Sequence, residues 1–182
     1  MRETKFTAKN TCDGYEILNH MVVFLPVTEN DLDAIRKIYD HYILNTTATF
    51  HNEPISLSEL REFLFIANPK YPSFVMKEHD HIIGYCLLTR FKKRQAYDRT
   101  AELSIYLQPE YTGRGIGVLA LKYLEDAAKN AGIHVLIGTL CGENRASIRL
   151  MEKCGYTRCA LLKNTGEKFG KILDVVMYQK EI

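Results

Sequence analysis

A strand, a glycine-rich turn and the start of a helix follow one another between Leu103 and Leu121. Gly113, Gly115 and Gly117 separate an apolar run from the helical apolar periodicity that follows it. A strand that enters a helix through glycines leaves several backbone N–H groups unpaired at the positive end of the helix dipole. Glycine also lacks the Cβ atom that would keep a phosphate away from the backbone. The segment therefore predicts an α/β fold with a site for a phosphorylated ligand.

Three phosphate-binding loops can be compared with this segment. A Walker-type loop needs Gly-Lys followed by Ser or Thr, which the chain lacks after Gly117. A dinucleotide fingerprint needs Gly-x-Gly-x-x-Gly near the start of a domain, whereas these glycines are spaced by two past the midpoint of the chain. The stretch from Thr112 to Gly117 is similar to the Gln/Arg-x-x-Gly-x-Gly/Ala loop of acetyltransferases, with Thr112 where Gln or Arg is usual. A turn that only connects two elements is the remaining alternative.

A second motif follows about thirty residues downstream. Asn144 is predicted to cap a helix that Gly155 ends. Asn-x-Ala-Ser-x-x-Leu followed by Gly-Tyr, from Asn144 to Tyr156, resembles the second half of the GNAT acetyltransferase core. The resemblance implies the α/β (α+β) GNAT acyl-CoA N-acyltransferase fold, with a mixed central β-sheet of about seven strands flanked by about four helices.

The same resemblance implies acetyl-CoA as the cofactor. Its pyrophosphate is expected on the glycine loop, and its thioester carbonyl beside a backbone N–H of the preceding strand. In the superfamily the asparagine side chain reaches the pantetheine or phosphate arm. The expected cofactor-binding residues are Ile105, Tyr106, Leu107, Thr112, Gly113, Arg114, Gly115, Ile116, Gly117, Asn144 and Ser147.

Length and composition limit the class of protein. A chain of 182 residues that is 46% hydrophobic can bury one sizeable core. We expect an N-terminal extension over residues 1–20 and a GNAT N-acetyltransferase domain over 21–182. The net charge of +2 gives no case for nucleic acid or an anionic membrane as a partner. Five cysteines without a C-x-x-C pair, no membrane-spanning stretch and no signal peptide favour a soluble cytoplasmic protein with free thiols.

The apolar patterns predict the element order β-α-α-β-β-β-α-β-α-β-β. A possible short strand at 15–18 precedes it. Thr28 and Ser56 are predicted to cap the first two helices. The predicted helices are 29–44, 57–67, 114–131 and the one between Asn144 and Gly155, and the predicted strands are 22–25, 73–78, 82–90, 100–107, 135–137, 156–162 and 172–180.

Acyl transfer from a thioester to an amine requires that an ammonium group lose a proton. Glu102, on the strand that leads to the glycine loop, is the first candidate for the general base; a solvent-facing strand glutamate is the alternative. Tyr106 shares its face because it lies four residues further on. The tyrosine hydroxyl could orient a substrate, or its ring could simply pack. A thioester is already activated, so Cys86, Cys141 and Cys154 are interpreted as core residues and not as nucleophiles.

Three further segments narrow the resemblance to the phosphinothricin acetyltransferase type: Ile38 to Pro54, Phe91 to Glu102 and Lys168 to Asp174. Members of that family acetylate the α-amino group of glutamate-like compounds such as phosphinothricin or methionine sulfoximine and sulfone. They use acetyl-CoA and usually form homodimers. The resemblance therefore implies a small-molecule amine as substrate and a second copy of this chain as partner.

The family match also implies site residues. It assigns the general base to Glu102, and it places Lys92, Arg94 and Tyr97 around the anionic part of the substrate. Cationic side chains would neutralise a carboxylate or phosphinate there. Thr49 and Phe50 would shape the wall of the same pocket.

The chain departs from the family pattern at one position that bears on proton transfer. Met151 stands where these enzymes usually have a histidine that has been considered an acid–base participant, and a methionine cannot carry a proton. The six histidines show no metal-ligand spacing, so we expect no metal site. His41, His51 and His134 are interpreted as surface or capping residues.

Two alternatives stay open on the sequence alone. The first is transfer of the acetyl group to a protein N-terminus or to a polyamine, although a basic cluster suggests a closed pocket for an anion. The second is a non-catalytic acyl-CoA-binding or sensing protein, for which Met151 is the best argument.

Overall fold

A single mixed β-sheet runs through the part of the chain that the computed structural model describes, residues 9–11, 14–17 and 20–182. Within these residues the sheet has nine strands, and four α-helices accompany it. The strands are β1 (Lys9–Thr11), β2 (Gly14–Ile17), β3 (His20–Pro26), β4 (Ser73–Glu78), β5 (His81–Arg90), β6 (Thr100–Leu107), β7 (Val135–Cys141), β8 (Thr157–Lys168) and β9 (Lys171–Glu181). The helices are α1 (Leu32–Asn45), α2 (Leu57–Leu64), α3 (Ile116–Asn130) and α4 (Arg145–Lys153).

The strand order in the sheet is β1-β2-β3-β4-β5-β6-β7-β9-β8, and β6 and β7 form its parallel pair. The predicted mixed sheet, the four helices and the element order from β3 onward are confirmed. The seven predicted strands are β3 to β9, and β1 and β2 continue the sheet beyond β3. The domain boundary at residue 20 stays a prediction. None of the described helices has both the length and the apolar character to cross a lipid bilayer.

The predicted caps of the first two helices are present, but two helix boundaries differ from the prediction by three residues. Ser56 and Glu59 form a capping box at α2, as predicted for Ser56. Thr28 makes the equivalent bonds with Asp31, but it caps a single 3₁₀ turn, and α1 begins only at Leu32. Helix α2 ends three residues before the predicted Ala67 because Phe65 adopts a left-handed backbone with a φ of 46°.

The sheet separates two hydrophobic cores. Alternation along β5 directs Tyr85 and Leu87 to the core formed with α1 and α2, and directs Cys86 and Leu88 to the core formed with α3. All four side chains are at most 1% exposed. Burial raises the pKa of the Cys86 thiol, which keeps it protonated and unreactive. Cys141 is also fully buried, in agreement with a packing role for both cysteines.

The ladder between β6 and β7 is short. It pairs Thr100 with Val135, Ala101 with Leu136 and Glu102 with Ile137, and no later pair follows among the described residues. Both strands continue for several residues beyond this point. They therefore diverge after Glu102, and main-chain groups of β6 face the opening between them.

Candidate active site

Glu102 lies at the point where β6 and β7 separate. It pairs with Thr89 of β5 on one side and with Ile137 of β7 on the other, and its side chain is half-buried. The backbone of β6 continues from Glu102 through Ile105 to Leu107 along the opening. The predicted base and the strand predicted to face the thioester therefore lie at the same place in the sheet.

The glycine loop has the backbone geometry that the sequence predicts. Gly113 and Gly115 have φ values of 74° and 84°, which glycine adopts without the strain that other residues incur. The amides of Thr112 and Val118 donate to backbone carbonyls, whereas the amides from Gly113 to Gly117 donate no hydrogen bond within the described part of the chain. Five free amides at the start of α3 fit a diphosphate group, because they and the helix dipole favour an anion.

The remaining cofactor-side residues lie around this loop. Gly117 lies close to α4, since a Cβ at Gly117 would be 3.1 Å from Leu150 Cδ2. Asn144 caps α4 by accepting the Ser147 amide on Oδ1 at 3.1 Å, which leaves its NH₂ group as the part that can reach a ligand. The Arg114 guanidinium lies 4.7 Å from the centre of the Tyr111 ring, beside the same loop.

Met151 belongs to the core. Its side chain is 2% exposed, and it occupies the space where a Cβ at Gly138 of β7 would have to lie. The position at which the family pattern has a histidine is thus filled by an apolar side chain that packs on the sheet.

Tyr106 lies in an aromatic cluster on the face of the sheet that packs against α1, opposite to the face that contains Met151. Its ring centre is 5.1 Å from that of Tyr39, 5.2 Å from that of Tyr42 and 5.2 Å from that of Tyr85. Burial raises the pKa of Tyr106, so its hydroxyl stays protonated and can donate a hydrogen bond at neutral pH. Alternation along β6 places Glu102 on this face as well. The sequence predicted Tyr106. Tyr39 and Tyr42 lie in the recognised segment from Ile38 to Pro54 but had no assigned role, and the signal of Tyr85 was its aromatic character alone.

The loop after α1 is held against the cluster by a buried lysine. The Lys168 side chain is 1% exposed, and its Nζ donates to the carbonyl oxygen of Thr49 at 2.8 Å. Burial lowers the pKa of Lys168. Thr49 Oγ1 lies 2.8 Å from the Tyr39 hydroxyl, and the Phe50 ring packs on Gly166. Thr49 and Phe50 were predicted to line the pocket. Lys168 was part of a recognised segment but had no predicted role.

A cavity of about 500 Å³ opens beside Thr89, the β5 partner of Glu102. It lies between the end of β5 and helix α2, and it is large enough for an amino acid. Its lining residues are His51, Ile55, Glu59, Glu62, Phe63, Phe65, Thr89 and Arg90.

The predicted anion-binding cluster lies on an exposed loop. Lys92, Arg94 and Tyr97 follow β5, and all three are exposed. The Lys92 Nζ is 5.0 Å from the centre of the Phe91 ring, on which Tyr97 also packs. No hydrogen bond or ion pair among the described residues connects these three side chains to Thr49, Phe50 or Tyr106. Their role in substrate binding stays a prediction.

Comparisons with known proteins agree with this architecture. The model of the acetyltransferase (GNAT) family matches residues 32–156. A phosphinothricin N-acetyltransferase from Streptomyces coelicolor is 30% identical, over 86% of this chain and 94% of its own length. An L-methionine sulfoximine/L-methionine sulfone acetyltransferase from Salmonella typhimurium is 31% identical, over 84% and 90% of the two chains. The crystal structure of a phosphinothricin acetyltransferase from Sinorhizobium meliloti in complex with acetyl-CoA has a TM-score of 0.83 and 33% identity, and 88% of each chain is covered.

Proposed function

This chain belongs to the GNAT acetyltransferase family, and on that premise we propose that it acetylates the α-amino group of a small amino-acid-like acceptor of the phosphinothricin or methionine sulfone type. The protein is an acetyl-CoA-dependent N-acetyltransferase. Bound acetyl-CoA supplies an activated thioester, so the reaction needs no covalent nucleophile from the protein.

The protein's residues divide into two groups by task. The amides from Gly113 to Gly117 bind the cofactor's pyrophosphate, and the NH₂ group of Asn144 and the main chain from Ile105 to Leu107 bind its arm. On the other face, Glu102 removes the proton from the acceptor's ammonium group, and Tyr106 orients the acceptor through its hydroxyl. The acceptor enters from the cavity that contains Thr89.

The observation that carries this mechanism is the position of Glu102. It is the last residue of β6 that pairs with β7, so its carboxylate stands where the opening for the thioester begins. It also pairs with Thr89, which lines the cavity on the acceptor side. A base at this point lies between the two substrates, as direct attack of an amine on a thioester requires.

The test is a thiol-release assay with acetyl-CoA and a panel of amines that includes methionine sulfone, methionine sulfoximine, phosphinothricin, a peptide and a polyamine. We expect turnover with the amino-acid analogues. Glu102→Gln should lower kcat about 10²-fold or more and leave the Kd for acetyl-CoA almost unchanged. The control is Glu167→Gln, an exposed carboxylate on β8, which should keep wild-type rates.

The outcomes separate the alternatives. Turnover with Glu102→Gln at the wild-type rate would remove Glu102 as the base. Turnover with the polyamine alone would show that the acidic side chains of the cavity, Glu59 and Glu62, select the acceptor. Tight acetyl-CoA binding without thiol release from any amine would refute the enzyme assignment and favour an acyl-CoA sensor.

We also propose that the protein forms a homodimer through β8 and β9. Leu161, Leu162, Phe169 and Ile172 are exposed on this pair of strands, with 42%, 45%, 55% and 59% of their surface accessible. β8 is the edge strand of the sheet, and exposed apolar side chains at a sheet edge favour association with another protein surface. Light scattering should give twice the 21.0 kDa chain mass, and Leu162→Glu should shift the protein to the monomer. A monomeric wild type at micromolar concentration would contradict the proposal.

A further inference from the structure

A tyrosine ring contact and two hydrogen bonds connect the middle of β6 to the protein surface. The buried Tyr39 hydroxyl lies 2.8 Å from Thr49 Oγ1 and 2.8 Å from His51 Nδ1. The Tyr106 ring contacts the Tyr39 ring edge to face at 5.1 Å, which brings the two hydroxyl groups into the same cluster as Thr49. His51 is exposed, and it lines the cavity beside α2. His51 is therefore a surface residue, as interpreted from the sequence, and it is in addition a hydrogen-bond partner of the buried Tyr39 hydroxyl.

Tyr106, Tyr39 and His51 can pass a proton from the site to the protein surface. A tyrosine hydroxyl can accept a proton on oxygen while it gives up its own. Burial raises the pKa values of Tyr39 and Tyr106, so neither forms a stable tyrosinate and a proton must pass through both in a concerted step. A histidine side chain is the ordinary protein group that takes up a proton near neutral pH.

We propose that His51 is the terminal proton acceptor for the acetyl-transfer site and acts through Tyr39 and Tyr106. Glu102 takes the first proton of the acceptor ammonium, and the neutral amine attacks the thioester. The attacking nitrogen is then positively charged; one of its N–H bonds breaks, and this second proton joins the Tyr106 oxygen. The Tyr106 proton moves to the Tyr39 oxygen, and the Tyr39 proton moves to Nδ1 of neutral His51. The nitrogen becomes neutral, His51 becomes an imidazolium, and the exposed ring then releases the proton to water.

The surroundings of His51 suit a group that gains positive charge. Glu59 and Glu62 of α2 and Arg90 at the end of β5 line the same cavity as His51, so two carboxylates and one guanidinium belong to its surroundings. From α1, Tyr39 is its hydrogen-bond partner, with the rings in edge contact at 5.6 Å. This route works beside Glu102. It also gives the site an imidazole in spite of Met151, which packs in the core on the other face of the sheet.

The inference rests on the proposed function, and a pH profile tests the two separately. We expect kcat/KM of the wild type to rise with pH in a step that depends on His51. His51→Gln keeps an acceptor for the Tyr39 hydroxyl but cannot be protonated. This variant should lose the step in its pH profile, and its kcat/KM at pH 8 should be about tenfold lower than that of the wild type. Tyr39→Phe interrupts the route and should lose the same step. His134→Gln, which changes an exposed histidine elsewhere, is the matched control.

Chemical rescue supplies a second readout. Added imidazole should restore the rate of His51→Ala in proportion to its concentration, because the position is open to solvent. It should leave Tyr39→Phe unchanged, since that variant lacks the hydroxyl that delivers the proton. A His51→Gln profile that superimposes on that of an active wild type would overturn the inference and leave the proposed function intact. A wild type that binds acetyl-CoA and acetylates no amine would instead refute the proposed function, and this route with it.

Discussion

Replacing Lys168 by Met should destabilise the fold and disturb the acceptor side of the site. Met has a similar length but no donor, so the carbonyl oxygen of Thr49 loses its bond from Nζ. An unsatisfied buried carbonyl costs about 1–3 kcal/mol, and relief from burying an ammonium group offsets part of that cost. We expect a net loss of about 1–2 kcal/mol, which lowers Tm by about 2–8 °C in a protein of this size.

The size of the loss should depend on pH. The pKa of Lys168 is lowered in the folded protein, so the unfolded chain binds more protons between that value and the ordinary pKa of lysine. Wild-type stability from this group is fully present above the ordinary lysine pKa and is lost as the pH falls through the folded pKa. The difference between wild type and Lys168→Met should therefore widen from neutral to alkaline pH.

Thermal denaturation followed by circular dichroism measures both effects. Lys171→Met is the matched control: this lysine lies on the neighbouring strand β9, its side chain is 63% exposed, and its Nζ is 4.0 Å from Glu143. We expect less than about 0.5 kcal/mol of change there. The KM for the acceptor should rise in Lys168→Met, while the Kd for acetyl-CoA stays constant. A Tm for Lys168→Met equal to that of the control would refute the anchoring role.

Two further changes test the packing of the sheet. Gly84→Ala should cost about 3 kcal/mol in chemical denaturation, because its Cβ would lie 2.5 Å from the carbonyl oxygen of Tyr106 and 2.7 Å from Leu107 Cδ2; a midpoint like that of the wild type would contradict this contact. A thiol reagent followed by peptide mapping should modify exposed Cys159 well before Cys86, whose burial raises its pKa. Equal labelling rates in the folded protein would show that the core around β5 is open.

The cofactor side of the site was largely predictable because its chemistry is local. The positive φ values of Gly113 and Gly115 and the cap at Asn144 each depend on residues within one turn, and each leaves a recognisable pattern. The end of α2 was not predictable. A phenylalanine at position 65 carries no stop signal, and the tertiary packing selects its left-handed conformation.

The acceptor side was predictable only in part because its contacts are distant in sequence. Lys168 and Thr49 are separated by 119 positions, and a lysine in a strand is ordinarily expected to face water. The contacts of Tyr39 with His51 and Tyr106 join a helix, a loop and a strand. No periodicity or motif reports that these three groups meet.

The early divergence of β6 from β7 bears on how such an enzyme could change its acceptor. Peptide groups offer the same donors and acceptors whichever side chains occupy positions 103–107. A cofactor arm that hydrogen-bonds to peptide groups therefore keeps its affinity for the protein when those side chains are exchanged. Substitutions that point toward α1 and α2 can thus retune the choice of amine without loss of the acetyl donor, so specificity can diverge while the chemistry stays the same.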